Sequence, residues 1–117
     1  MKKLITLILL LGIAASLPAQ NATEQLYPVK GFCINAPATG QVDRFLKFVN
    51  EELATRGVNT LLLLVDYGYK YQSYPQLRDK DALTKAEVKK IVKACRNHNI
   101  RIIPQINLLG HQSWAGN

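Results

Sequence analysis

The sequence predicts an α/β fold in which three strands alternate with two helices, in the order β-α-β-α-β. Three short apolar segments, at residues 29–35, 59–65 and 100–106, have the length of strands. The two segments between them carry apolar residues at helical spacing. Because strands that alternate with helices pair in parallel through right-handed crossovers, we expect a single parallel sheet.

The first helix is predicted from apolar residues that follow the spacing i, i+3, i+4 and i+7, namely Val42, Phe45, Leu46, Val49 and Leu53. Thr39 or Gly40 marks its start, and Gly57 lies just past its end. The strand before it, at residues 29–35, ends before Pro37.

The second strand, at residues 59–65, is apolar almost throughout and closes on Asp66. A strand without alternation is typical of a parallel sheet that is covered on both faces. A tyrosine-rich loop follows, and Thr84 with Glu87 three positions later has the capping-box pattern that opens the second helix. That helix is predicted to end near Asn97, before the third strand.

One face of this sheet has no predicted cover, because two right-handed crossovers place both helices on the same side. Further strands that close a (β/α)8 TIM barrel would bury the other face, as would helices wound on that side. A closed barrel takes about 250 residues. We therefore interpret residues 29–117 as the N-terminal portion of a TIM-barrel domain, preceded by a polar lead-in at residues 20–28.

The N-terminus has the three-part pattern of a secretory signal peptide, which we predict at residues 1–19. Lys2 and Lys3 precede an apolar run at residues 4–15, and small residues follow up to the expected cut after Ala19. The run is too short to span a membrane comfortably. We expect an exported protein, periplasmic or extracellular, with no stable membrane anchor; a buried N-terminal helix is the alternative.

The net charge of +7 falls to +5 when Lys2 and Lys3 are removed with the signal peptide. Much of the remaining excess lies on the second helix, where basic residues alternate with apolar ones at helical spacing. This pattern is typical of the solvated face of an amphipathic helix. We therefore expect no nucleic-acid partner.

The two cysteines, Cys33 and Cys95, fall in a predicted strand and on the apolar side of a predicted helix. Export permits a disulfide, but these positions favour two buried free thiols. Neither His98 nor His111 has a cysteine or carboxylate beside it at metal-ligand spacing. We expect no metal and no cofactor.

Polar and aromatic residues collect where the strands end, which is the ligand-binding edge of parallel α/β folds. We predict substrate binding at Asp66, Asn107, His111 and Trp114, with the tyrosine-rich loop beside them. Aromatic rings pack against the apolar face of a pyranose and polar groups bind its hydroxyls, so this set favours a glycan or amino-sugar substrate. The structural alternatives are a carboxylate that holds backbone amides, a surface-turn histidine, a tryptophan that plugs the barrel rim, and tyrosines that form one side of an extended loop packed on the barrel.

Three stretches resemble the start of the catalytic barrel of glycoside hydrolase family 20, the β-N-acetylhexosaminidases. Residues 58–66 (VNTLLLLVD) and 73–77 (SYPQL) are similar to the family's second strand and to the Tyr-Pro-Glu-Leu stretch beyond it. Residues 103–111 (IPQINLLGH) resemble the third-strand motif Ile-Pro-Glu-x-Asp-x-Pro-Gly-His. The similar region extends from about residue 30 to residue 114.

The sequence departs from the family at several motif positions. Gln105 and Asn107 stand where the family has Glu and Asp, and Leu109 replaces its Pro. In the first strand, Asn35 and Ala36 stand where the family shows Asp and then a substrate-binding Arg. Amides keep the shape and hydrogen bonding of carboxylates but remove their charge, so we expect a divergent relative.

The resemblance implies a retaining hydrolysis of terminal N-acetylhexosamine in which the substrate's own acetamido group is the nucleophile. The family's catalytic Asp-Glu pair follows the fourth strand, which by strand count lies beyond Asn117. No catalytic residue is therefore expected in this chain, and Asp66, Asn107 and His111 map to supporting positions. Two other hypotheses are a sugar-binding barrel without catalysis and a different (β/α) carbohydrate-active enzyme. A metal-binding triad later in the protein would favour the second of these.

Overall fold

The computed structural model describes residues 26–107 and contains a three-stranded parallel sheet with two helices. Its strands and helices, in chain order, are β1 (Gly31–Asn35), α1 (Val42–Phe48), β2 (Thr60–Leu64), α2 (Lys85–Asn97) and β3 (Arg101–Gln105). Short 3-10 turns lie at Thr39–Gln41 and Pro75–Leu77, and α1 continues into a π-helical segment at Val49–Leu53. The predicted β-α-β-α-β order is confirmed.

The strands pair in the order β1-β2-β3, with β2 in the centre. Leu62 of β2 lies opposite Cys33 on one side and Ile103 on the other, and Leu64 lies opposite Asn35 and Gln105. Because directly paired residues of parallel strands point to the same face, these rows define the two faces of the sheet. The strands also end level with one another.

The face that carries Leu61 and Leu63 is covered by both helices. α1 and its π-helical continuation contribute Val42, Phe45, Val49 and Leu53 to this core, and α2 contributes Ile91 and Cys95. Leu61 is 0 % exposed, and full burial of a leucine stabilises a fold by about 1.5–3 kcal/mol. The described part of the chain thus has one core, between the helices and this face.

The opposite face is open, as the sequence predicts. Ile103 is 39 % exposed, Cys33 is exposed, and Leu62 between them is half-buried. The prediction of two buried thiols is correct for Cys95 and wrong for Cys33, because Cys33 lies on the face that no helix covers. Both thiols are free, so no disulfide joins them.

The helix boundaries agree with the sequence signals, and α2 ends at Asn97 as predicted. Thr84 and Glu87 form the reciprocal capping box at the start of α2. Gly57 adopts φ +69° just beyond the first helix, a conformation that favours glycine. The 3-10 turn that leads into α1 begins at Thr39, as predicted, and the Thr39 hydroxyl caps no helix but donates to the Glu87 carboxylate.

Asn59 fastens the polar lead-in to the amino end of the sheet. Its side-chain oxygen accepts from the backbone N–H of Lys30 at 2.9 Å, and its side-chain nitrogen donates to the Pro28 carbonyl at 2.9 Å. The Asn59 backbone N–H also donates to the Lys30 carbonyl. The asparagine before β2 therefore has a structural role at the edge opposite the candidate site.

Candidate functional site

Asp66 and Asn107 meet at the carboxyl edge of the sheet. Each lies two residues beyond a paired strand position, Leu64 and Gln105 respectively, so the register places them side by side. The Asn107 backbone N–H donates to Asp66 Oδ1 at 2.9 Å, and Asn107 Nδ2 donates to Asp66 Oδ2 at 3.3 Å. Two of the four predicted substrate-binding residues are thus brought together across 41 positions of sequence.

A tight turn sets the direction of the chain after Asp66. Asp66 adopts φ 39°, and the Gly68 N–H donates to the Val65 carbonyl at 2.7 Å. A Cβ on residue 68 would lie 2.9 Å from that carbonyl oxygen, so only glycine fits. The Gly68 carbonyl then accepts from Leu83, and Lys70 donates to the Leu83 carbonyl, which closes the base of the loop.

The tyrosine-rich loop folds back over this edge. Tyr71 Oη donates to the Asp66 carbonyl oxygen at 2.9 Å, and the rings of Tyr69 and Tyr71 pack edge to face with centroids 5.1 Å apart. Arg78 Nε donates to the Tyr71 carbonyl and holds the loop from the other side. Burial is the main cause that raises the pKa of Tyr71, followed by the nearby Asp66 charge and then by Tyr69. The phenol is therefore a hydrogen-bond donor at neutral pH.

A cavity of about 650 Å³ opens between the strand ends and the tyrosine loop. Its walls include Asp66, Asn107, Lys85 and the rings of Tyr67, Tyr69, Tyr71 and Tyr74. This volume lies within the range of small-molecule sites, which is roughly 300–1,000 Å³. The lining combines aromatic faces with a carboxylate, an amide and an ammonium group.

Two further amides lie directly below this rim on the open face of the sheet. Asn35 and Gln105 are both exposed and occupy the two positions paired with Leu64. Their side chains point to the open face together with that of Leu64, because the three residues are directly paired. In the sequence these amides stand out only as departures from a family motif, whereas the strand register makes them neighbours of the site.

A carboxylate below the rim ties the two βα loops together. Glu87 accepts from the hydroxyls of Thr39 and Thr84 at 2.5 Å and 2.6 Å, and from the Thr84 backbone N–H at 2.8 Å. These hydrogen bonds, that of Thr39 foremost, lower the pKa of Glu87 to about 2. The Thr39 N–H also donates to the Asp81 carbonyl, so the loop after β1 is fixed against the loop before α2.

The other two predicted site residues, His111 and Trp114, lie outside the described residues, as does the predicted signal peptide at residues 1–19. Sequence reasoning named the tyrosine loop but missed the contact between Tyr71 and Asp66. It also missed Lys85 as a wall of the cavity, because the residue read as part of a solvated helix face.

Within residues 26–107, no group of histidine, cysteine or acidic side chains is arranged to hold a metal ion. The same stretch contains no helix of the length and apolarity needed to cross a membrane. When the chain is compared with models of protein families and with curated proteins, it matches none of them.

Proposed function

We propose that this chain is the N-terminal part of an exported (β/α)8 glycosidase, similar to glycoside hydrolase family 20, that acts on terminal N-acetylhexosamine or related glycans. The observation that carries the proposal is the Asp66–Asn107 pair beside a tyrosine-lined cavity at the carboxyl edge of a parallel sheet. Ligands of such folds bind at this edge.

The chemistry of the cavity suits a sugar better than a purely apolar or purely charged ligand. Exposed and half-exposed tyrosine rings offer apolar faces to the C–H face of a pyranose. Asp66 keeps lone pairs for a hydroxyl beyond those used by Asn107, since a carboxylate has about four acceptor sites. The Asn107 side-chain oxygen is an acceptor next to it.

The open face of the sheet supports the barrel part of the proposal. Leu62 and Ile103 would be buried if further strands closed the sheet on itself, as inward-pointing residues are in a TIM barrel. The amides Asn35 and Gln105 would then lie at the mouth of the barrel, below the substrate. In the family that the sequence resembles, the catalytic Asp-Glu pair follows the fourth strand, beyond Asn117.

A second candidate function is sugar binding without hydrolysis. Gln105 and Asn107 are amides at positions where the resemblance implies acids. Among the described residues that line the cavity, Asp66 alone is acidic. A site with fewer negative charges stabilises an oxocarbenium-like transition state less well, although it binds neutral sugar hydroxyls equally well.

The binding half of the proposal is tested with the chain itself, titrated with N-acetylglucosamine and followed by NMR. Asp66→Ala should abolish saturable shifts, whereas Asp43→Ala, on the exposed side of α1, should leave them unchanged. Equal loss in both variants, or no saturable binding by the wild-type chain, contradicts a sugar site at this edge.

The catalytic half is tested with p-nitrophenyl N-acetylglucosaminide. The 117-residue chain should release no p-nitrophenol, because the proposed acid pair lies beyond Asn117. In the protein that carries the whole barrel, turnover separates a glycosidase from a sugar-binding barrel, and His111→Ala should lower turnover more than it lowers the melting temperature. Release of product by the 117-residue chain would refute the assignment of catalysis to a later segment.

A further inference from the structure

Lys85 is the basic residue among the described residues that line the cavity between the strand ends and the tyrosine loop. It is the first residue of α2 and is exposed. Within residues 26–107, its side chain forms no ion pair and no hydrogen bond. A lysine in the first turn adds positive charge to the positive end of the helix dipole, which is unfavourable. Neither a salt bridge nor helix stability therefore accounts for an ammonium group at this place.

The two charges of the cavity lie on different sides of it. Lys85 and Tyr69 line both the cavity and a neighbouring hollow beside α2, whereas Asp66 and Asn107 line the cavity but not that hollow. The ammonium group is therefore on the α2 side and the carboxylate on the sheet side. Three more basic side chains of α2 line the hollow, and no acidic one of residues 26–107 does. The potential on the α2 side is thus positive, which attracts anionic ligands.

The sheet side of the cavity has little free negative charge. Both carboxylate oxygens of Asp66 already accept hydrogen bonds from Asn107, at 2.9 Å and 3.3 Å. The other polar side chains at the strand ends, those of Asn35, Gln105 and Asn107, are neutral amides. An anionic group bound at Lys85 therefore meets one hydrogen-bonded carboxylate on the sheet side, and not a ring of acids.

We infer that the cavity takes a sugar that carries a singly charged anionic group, a carboxylate or a sulfate ester, and that Lys85 selects it. The inference rests on the proposed function, whose sugar class it narrows. The pyranose packs on the tyrosine rings and its hydroxyls bind Asp66 and Asn107, while the anionic group accepts from the Lys85 ammonium. A lysine is a point charge with three rotatable donors, so it binds either anionic group. One lysine balances one negative charge, whereas a phosphate monoester carries up to two.

The test compares three sugars that share the pyranose ring and the acetamido group. They are N-acetylglucosamine, its 6-sulfate, and N-acetylmuramic acid, which carries a carboxylate on a lactyl ether at O3. The full 117-residue chain is titrated with each sugar and followed by NMR. At least one anionic sugar should bind roughly fivefold or more tightly than the neutral one, because it gains a charge-assisted hydrogen bond. Added salt should reduce this ratio, and the tighter of the two anionic sugars identifies the anionic group.

Three variants assign the preference to Lys85. Lys85→Gln removes the charge and should lower the ratio of anionic to neutral affinity to about one. Lys85→Arg keeps the charge and should keep the preference. Lys90→Gln is the matched control, because it removes the same charge from an exposed residue of α2 that does not line the cavity, and it should leave the preference in place.

Two outcomes overturn the inference and leave the proposed function in place. Saturable binding of N-acetylglucosamine that is as tight as that of both anionic sugars, or tighter, shows that the cavity does not select charge. A preference that Lys85→Gln leaves intact, or that Lys90→Gln lowers equally, shows that no contact with Lys85 selects the anionic group. Failure of all three sugars to bind contradicts the proposed function, and the inference with it.

Discussion

The two faces of the sheet are built from the same kind of residue but have opposite environments. Leu61 and Leu62 are neighbours in β2, yet Leu61 is sealed beneath the helices and Leu62 lies half-buried on the open face. The covered face supplies the core of the described chain. The open face carries exposed apolar side chains and leads to the polar rim. Position relative to the helices, and not residue type, therefore decides what each leucine contributes.

The largest expected difference is in stability. Leu61→Ala should lower the free energy of unfolding by about 2–5 kcal/mol, because it leaves a cavity in the core. Leu62→Ala removes the same atoms from the open face and should cost about 1 kcal/mol or less. Urea denaturation followed by circular dichroism measures both. Similar costs for the two variants would mean that the open face is covered in solution.

The reactivity of the two cysteine thiols tests the same contrast between the open and the covered face. Cys33 is exposed on the open face, whereas Cys95 is buried and its burial raises the pKa of its thiol. In native protein, Cys33 should react with Ellman's reagent roughly a hundredfold or more faster, because Cys95 reacts only when the fold opens. Single-thiol variants Cys33→Ser and Cys95→Ala assign each rate, and denaturant should make the rates similar. Matching native rates would contradict the burial of Cys95.

Acid titration tests the hydrogen bonds by which Glu87 joins the loop after β1 to the loop before α2. The Glu87 pKa is lowered from 4.5 to about 2, so its hydrogen bonds stabilise the fold above pH 4.5. That contribution is lost as the pH falls from 4.5 toward 2. Glu87→Gln should lower the melting temperature at pH 7 and flatten its fall across this window. Glu51→Gln, an exposed carboxylate on the first helical segment, is the control. Parallel wild-type and Glu87→Gln curves would exclude this role.

The smallest effect is expected at the rim. Asp66→Asn removes one of the causes that raise the Tyr71 pKa, while burial of the ring remains. The pKa of Tyr71 should therefore fall, as seen in ultraviolet titrations from which a Tyr71→Phe spectrum is subtracted. Asp43→Asn, on α1, should not change it. If the Tyr71 pKa is the same in the wild-type chain and in Asp66→Asn, the Tyr71 ring does not lie close to the Asp66 carboxylate in solution.

The sequence was sufficient for elements that local signals specify. The capping box of α2 follows from Thr84 and Glu87 alone, and the level ends of parallel strands bring Asp66 and Asn107 to one edge. Helical spacing likewise identified the core positions of the first helix. Each of these predictions depends on neighbours along the chain or on the common direction of the strands.

Other features depend on contacts between distant residues and could not be predicted in this way. β1 has apolar residues at adjacent positions, so its sequence does not say which of them points away from the helices, and Cys33 was placed wrongly. The Thr39–Glu87 bond joins residues 48 positions apart. The contact of Tyr71 with Asp66 depends on how Arg78 and Leu83 close the loop.

The clamp at the base of the tyrosine loop has a consequence for how such a protein diversifies. Gly68 and Leu83 bring the two ends of the loop together by backbone hydrogen bonds, which do not depend on the side chains between them. The exposed residues from 72 to 77 can therefore change in sequence while the sheet and both helices stay in place. Under the proposed function, ligand preference can change in this segment independently of folding, and a library randomised there while Gly68 is kept would test new sugar ligands on an unchanged scaffold.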